Sequence, residues 1–180
     1  LSYVGRLAPE KDIETLLNIS LQLTEIIRSQ IHWLIVGDGP SKEEMIKSSP
    51  ENMTFAGYLN GENLAKVYAS SDLFIFPSST ETFGNVVLEA LATGTPVIAA
   101  NSGGVKNIVN QGITGTLCEP KHVEQFQTAI ISLLENDTLR LKMSEDARKY
   151  ALSQSWDQIF EGLLKDYEEA LIEKKQIRYA

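Results

Sequence analysis

At 180 residues, 43% hydrophobic and 22% charged, the chain has the size and make-up of one globular domain with a sizeable core. Its net charge of −8 disfavours nucleic acid as a partner, because phosphate backbones need a basic surface. The single cysteine, Cys118, excludes an intrachain disulfide, and no apolar run approaches the ~20 residues of a membrane span.

Leu1 to Gly5 reads as a first strand. The chain starts inside this run without Met and shows no signal peptide, so it is read as a piece of a longer protein. The loop Arg6 to Asp12 follows. Ile13, Leu16, Leu17, Ile19, Ser20, Leu23, Ile26 and Ile27 then predict one long helix. Ile31 to Val36 is a second strand, stopped by Gly37-Asp38-Gly39-Pro40. Ser41 with Glu44 predicts a capping box for a short second helix. Met53 to Ala56 is a third strand ended by Gly57, and Glu62 to Ala69 a third helix.

Leu73-Phe74-Ile75-Phe76 is short, aromatic and β-branched, and Pro77-Ser78-Ser79-Thr80 closes it, as expected of a buried strand. From Gly84 a helix is predicted with Val87, Leu88, Ala90 and Leu91 on its apolar side and Asn85, Glu89 and Thr93 on the other. Pro96 to Ala100 is a fifth strand, followed by Asn101-Ser102-Gly103-Gly104 and a short helix. Gly112 to Cys118 gives a turn and a sixth strand, and His122 onward is helical. Ser155 with Gln158 predicts a capping box for a last helix, Trp156 to about Glu173, with a frayed charged end. Strands and helices alternating at short spacing predict a single three-layer α/β domain over 1–180. About six parallel strands would carry helices on both faces.

Ligands of such sheets sit at the carboxyl ends of the strands. Arg6 and Lys11 lie in the first of these loops, where a pyrophosphate would meet two cations beside a helix start. The pattern alone favours two solvated surface cations. Gly37-Asp38-Gly39 reads as a nucleotide-cradling turn or, more simply, as a plain turn. Phe83, Gly84, Asn85 and Val86 are expected to present free N–H groups at a helix start, suited to phosphate and sugar oxygens. Gly103-Gly104 favours a tight turn that allows close approach. Glu81 and Glu89 are not placed as a hydrolase's acid/base pair, since one precedes the helix and the other lies more than a turn inside it. Their plain readings are a helix-dipole charge and a solvated helix face. His32 in an apolar strand and His122 at a helix start are read as structural. Two His and one Cys, well separated, offer no zinc site, and no Asp-x-Asp occurs.

Glu81-Thr82-Phe83-Gly84-Asn85-Val86-Val87-Leu88-Glu89-Ala90, with Gly94-Thr95-Pro96-Val97 behind it, resembles the signature of retaining GT-B glycosyltransferases of family 4. Gly5-Arg6-Leu7 followed by Glu10-Lys11 is similar to the family's Gly-Arg-Leu…Glu-Lys motif, whose Arg and Lys hold the donor diphosphate. The resemblance therefore reverses the plain reading of Arg6 and Lys11. It implies a Rossmann-like, donor-binding half of a two-domain enzyme, with the N-terminal acceptor domain absent. The residue matching Glu81 would contact the transferred sugar and the one matching Glu89 the ribose. Gly37 and Gly39 match an element on the nucleoside side of the cleft, and Gly57-Tyr58-Leu59 the segment bordering the base. The last helix would brace the two halves.

The function so implied is hexose transfer from a UDP- or GDP-sugar, with retention and without metal or other cofactor. The fragment alone is expected to be nearly inactive. The full-length protein would be cytoplasmic, with any membrane contact peripheral and made through the missing domain. Two rivals stand beside it. A nucleotide-sugar epimerase or phosphorylase of similar build is disfavoured by the Glu81–Glu89 spacing and by the absence of a pyridoxal-phosphate lysine motif. A non-catalytic nucleotide-binding module would bind donor without turnover.

Overall fold

A computed structural model describes residues 1–154, 157, 160–167 and 171. Six strands form one sheet: β1 (Ser2–Val4), β2 (Trp33–Val36), β3 (Met53–Gly57), β4 (Phe74–Phe76), β5 (Val97–Ala100) and β6 (Gly115–Cys118). Their order is β3-β2-β1-β4-β5-β6, and every pairing is parallel. Strands buried on both faces are near-continuously apolar, and β1, β4 and β5 are buried at every position.

The helices are α1 (Ile13–Gln22), α2 (Glu25–Gln30), α3 (Lys42–Ser48), α4 (Gly61–Ala69), α5 (Asn85–Ala92), α6 (Val123–Leu134) and α7 (Asp137–Ser153). They form two layers. Helix α1 packs with α3 and α6, and α5 packs with α4 and α7. The expected three-layer fold with six parallel strands is the one found. β1 sits between β2 and β4, so the chain leaves it in opposite directions along the sheet. That reversal opens a crevice at the carboxyl ends of β1 and β4. Tyr3, Phe76 and Phe74 stack beneath the crevice, with ring centroids 6.2 and 5.9 Å apart.

Four local expectations need correction. The long first helix is two helices. Leu23 adopts an extended backbone (φ −62°, ψ 142°) that puts its side chain in the core, and the chain restarts at Glu25 in a new phase. Ile26 is consequently exposed rather than on the apolar face. Ser41 occupies the N-cap of α3 but makes no side-chain cap. Its N–H instead donates to the Leu7 carbonyl, at 3.0 Å. The helical stretch after His122 is broken at Glu135–Asn136, where Asn136 Oδ1 accepts from the Leu139 N–H at 2.9 Å and starts α7. His32 lies just before β2, exposed, and shares a 2.9 Å hydrogen bond with Thr54 Oγ1. His122 is at the helix start as expected. The Ser155–Gln158 pattern lies outside the described residues, as do most of the last ten residues. Residues 160–167 are helical.

Candidate functional site

Four loops at the carboxyl edge carry the candidate residues. After β1 the chain runs through Arg6 and Leu7 into a 3-10 turn, Pro9–Lys11. Arg6 points to solvent and pairs with Glu10 at 3.4 Å. The buried Tyr3 hydroxyl donates to the Arg6 carbonyl at 3.1 Å and so anchors the loop from below. Burial pushes the Tyr3 hydroxyl well above the usual phenol range. The nearby carboxylates of Glu81, Asp12 and Glu10 push it further.

Lys11 and Glu81, 70 residues apart, meet here. Lys11 Nζ donates to Glu81 Oε2 at 2.6 Å, with each side chain 22% exposed. Their partial burial and short distance make this a charge-assisted bond. Solvent screening still holds its net worth to about 1 kcal/mol.

The Gly37-Asp38-Gly39 turn after β2 lies directly under the Arg6 loop. A Cβ on Gly37 would stand 1.9 Å from the Gly5 carbonyl oxygen, and one on Gly39 2.2 Å from that of Leu7. Gly5 N–H donates to Val36, Leu7 N–H to Asp38 and Ser41 N–H to Leu7, at 2.9–3.0 Å. These glycines are therefore required by backbone-to-backbone approach. The Asp38 carboxyl is held below its ordinary range by the Gly39 N–H and by Lys42.

The loop after β4 carries Glu81 into α5. Gly84 is the N-cap, at φ 99°. Among the described residues, the N–H groups of Phe83, Gly84, Asn85 and Val86 make no hydrogen bond, as expected of a helix start without a side-chain cap. Gly103 and Gly104 hold this loop from the β5 side. The Gly104 N–H donates to the Glu81 carbonyl at 3.0 Å, and a Cβ on Gly103 would stand 2.0 Å from the same oxygen. They form the tight, closely approached turn that the sequence suggests.

Glu89 is elsewhere on α5. Its carboxylate accepts a 2.8 Å bond from the Tyr68 hydroxyl of α4. Burial first, and Glu89 second, push that hydroxyl far above the phenol range. Tyr58 and Leu59 lie after β3, two strands from β1 and so roughly 10 Å along the sheet. Tyr58 is 74% exposed, while Leu59 rests on the core.

The structure thus brings Arg6, Lys11, Glu81 and the start of α5 to one crevice. Glu89 is paired instead with Tyr68 of α4, and the Tyr58 loop follows β3. Sequence reasoning missed two contacts. One is Tyr68–Glu89. The other is Asp12, whose buried carboxylate accepts from the Ser79 N–H and Oγ at 2.8 and 2.5 Å. No motif signals either contact. Two concavities are lined by other residues. One of about 580 Å³ runs along β6, α6 and α7, and one of about 420 Å³ lies between α1 and α3. Neither contains Arg6, Lys11, Glu81 or Glu89. Among the described residues, no group of three or more His, Cys, Asp or Glu could hold a metal ion.

The model of the family "Glycosyl transferases group 1" matches residues 1–150. The chain belongs to the group 1 glycosyltransferases. A GDP-mannose-dependent alpha-mannosyltransferase of Corynebacterium glutamicum is 33% identical over 177 residues, 98% of this chain and 41% of that protein. A sulfoquinovosyl transferase of Arabidopsis thaliana is 37% identical over 158 residues, 86% of this chain and 30% of that protein. This group 1 chain spans less than half the length of these curated relatives.

Solved structures agree on the fold. Anabaena HepE in complex with UDP superposes with a TM-score of 0.78 at 24% identity, covering 91% of this chain and 48% of that one. The C-terminal domain of a group 1 family protein from Francisella tularensis gives 0.76 at 21% identity, covering 85% and 84%. The group 1 fold seen here is therefore the C-terminal, Rossmann-like half of the GT-B architecture. The GT-B, group 1 part of the resemblance read from Glu81 to Ala90 and from Gly5 to Lys11 is thereby borne out.

Proposed function

We propose that this chain is the donor-binding half of a metal-independent, retaining hexosyltransferase of the family 4 type. The observation that carries the reading is the Lys11–Glu81 pair at the reversal point of the sheet. It is flanked by the solvated Arg6 and by four unbonded N–H groups at the start of α5. A diphosphate entering the crevice takes Lys11 from Glu81, gains Arg6, and places its oxygens on the α5 N–H groups. Glu81, released, accepts from hydroxyls of the transferred hexose. Glu89 accepts from the ribose, and the Gly37–Gly39 and Tyr58–Leu59 loops border the nucleoside. With no divalent ion, Arg6, Lys11 and the helix start neutralise the leaving diphosphate.

Transfer with retention then follows on one face of the sugar. The acceptor oxygen bonds to the anomeric carbon as the bond to the diphosphate oxygen breaks. The acceptor's proton passes to that diphosphate, and no enzyme nucleophile is used. The second wall of the cleft and the acceptor site belong to an N-terminal domain outside this sequence, so the isolated chain binds donor and turns over little. The exposed apolar residues Leu163, Leu164 and Tyr167 on the last described helical stretch suit a brace against such a domain.

Calorimetry tests the reading. UDP or GDP binds this chain in EDTA, and added Mg²⁺ leaves the affinity unchanged. Binding seen only with metal ends the charge-neutralisation argument. A second measurement tests Glu89. Tyr68→Phe removes the hydroxyl that orients the carboxylate, and it weakens UDP or GDP by about 0.5–1.5 kcal/mol. Inorganic pyrophosphate, which has no ribose, binds the variant as it binds the parent chain. An equal loss for both ligands would mean that Glu89 does not act through the ribose.

A further inference from the structure

We propose that Asp12 is the positioning residue that sets the Lys11 ammonium against the Glu81 carboxylate, an inference that rests on the donor-site reading above. Asp12 occupies the N-cap of α1, where an aspartate ordinarily accepts from its own helix. Here it makes no such bond. Its side chain, 8% exposed, turns away from α1 and crosses to the β4 loop, 67 residues on, to accept from both the N–H and the Oγ of Ser79. Lys121, reaching over from beyond β6, stands 3.6 Å from the other carboxylate oxygen. The backbone adopts a left-handed conformation (φ 50°, ψ 36°). Asp tolerates that conformation better than most side chains. A carboxylate withdrawn from water, in an uncommon backbone state and not used by its own helix, requires another account. The fixed placement of the turn supplies one.

The neighbouring contacts show what is being placed. Asp12 meets Ser79, Glu10 accepts through its carbonyl from Thr80 Oγ1 at 2.6 Å, and Lys11 meets Glu81. Three consecutive residues of the first loop are stitched to three consecutive residues of the fourth. The fourth loop is itself fixed from the β5 side. Ser102 Oγ donates to the Ser79 carbonyl at 2.7 Å, and the Gly104 N–H donates to Glu81. Asp12 therefore docks the turn that carries Lys11 onto a loop that is already held. Of the three stitches, it is the one made by a buried charge.

Four variants of this chain test the assignment: Asp12→Gly, Asp12→Asn, Ser79→Ala and the Asp12→Gly/Ser79→Ala double. Glycine accepts the left-handed backbone and deletes only the carboxylate. Asparagine keeps the shape and one acceptor. UDP and GDP affinities are measured by calorimetry, with thermal unfolding alongside. Asp12→Gly loses at least fivefold in affinity, and Asp12→Asn recovers a large part of it. Ser79→Ala causes no further loss in the Asp12→Gly background, because both act through one contact. A merely structural Asp12 lowers the unfolding temperature and leaves the affinity of the folded chain unchanged. That result, or losses that multiply in the double variant, overturns the proposal. Should Asp12→Gly fail to fold, Asp12→Asn and Ser79→Ala decide on the same two readouts. If the unmodified chain binds neither nucleotide, the donor-site reading fails and this inference falls with it. If the unmodified chain binds and Asp12→Gly binds equally well, only the inference falls.

Discussion

Lys11→Ala weakens the binding of a nucleoside diphosphate by about 1.5–3 kcal/mol, roughly ten- to a hundredfold, because it deletes a charge-assisted hydrogen bond to the diphosphate. Glu81→Gln behaves differently. In the ligand-free chain Lys11 is already engaged, 2.6 Å from Glu81, and the incoming diphosphate has to compete for it. The amide removes that competitor, so free UDP or GDP binds Glu81→Gln at least as tightly as the parent chain. The nucleotide sugar loses its hexose acceptor and gains nothing over the free nucleotide. The ratio of the two affinities therefore collapses toward one in Glu81→Gln and is kept in Lys11→Ala. Calorimetry with UDP, GDP and their glucose or mannose conjugates reads both. If Glu81→Gln weakens the free nucleotide as Lys11→Ala does, Glu81 serves the diphosphate and the division of roles is wrong.

Gly37→Ala is expected to be the most destabilising single change in the site. The added methyl stands 1.9 Å from the Gly5 carbonyl oxygen, at a backbone φ of 138°. Neither atom belongs to a flexible side chain, so relief requires moving the β1 and β2 ends apart. We expect a loss of about 3–5 kcal/mol, above the ordinary cost of overpacking and a large part of a domain's total stability. Gly57→Ala is the control. It too has a positive φ, 70°, but its added methyl meets nothing within 4 Å. It pays only the left-handed penalty of about 1–2 kcal/mol. Denaturant unfolding of the two variants separates steric from conformational cost. Equal losses would mean that the loop-on-loop contact contributes little.

The sheet and the crevice were legible in the sequence because both leave periodic or local signals. The short aromatic, β-branched run Leu73 to Phe76, closed by turn formers, reads as the buried strand it is, and the wheel from Asn85 to Thr93 correctly put Val87, Ala90 and Leu91 in the core. Arg6, Lys11 and Glu81 were each assigned to a loop at the same sheet edge. Their meeting follows from placing β4 beside β1. What stayed hidden has no period. Ser79 and Asp12 are ordinary turn residues until the fold closes 67 residues of chain between them. The break at Leu23 is equally silent, since two extended residues, Leu23 and Thr24, shift the helical phase without Gly or Pro to mark it. Gly37-Asp38-Gly39 reads from its residues as a plain turn more readily than as a nucleotide cradle. The structure shows what its glycines accommodate within the chain, the carbonyls of Gly5 and Leu7.

The same glycines divide the carboxyl edge into two regimes of tolerance to change. Around Lys11 and Glu81, the backbones of Gly5, Leu7, Glu81 and Thr82 stand so close to Gly37, Gly39, Gly103 and Gly104 that no side chain fits between them. Around Tyr58, by contrast, Gly57 and Gly61 face open space and the aromatic ring is 74% exposed. Side-chain changes at Tyr58 leave the stitched loops undisturbed, although the Gly57 carbonyl accepts from the Gly37 N–H at 2.8 Å and ties the backbone of the β3 end to the glycine turn. A lineage built on this scaffold can therefore vary Tyr58 readily while the ion-pair end drifts hardly at all. An engineer would begin with Tyr58 and leave Leu59, 5–12, 37–39, 79–84 and 102–104 untouched.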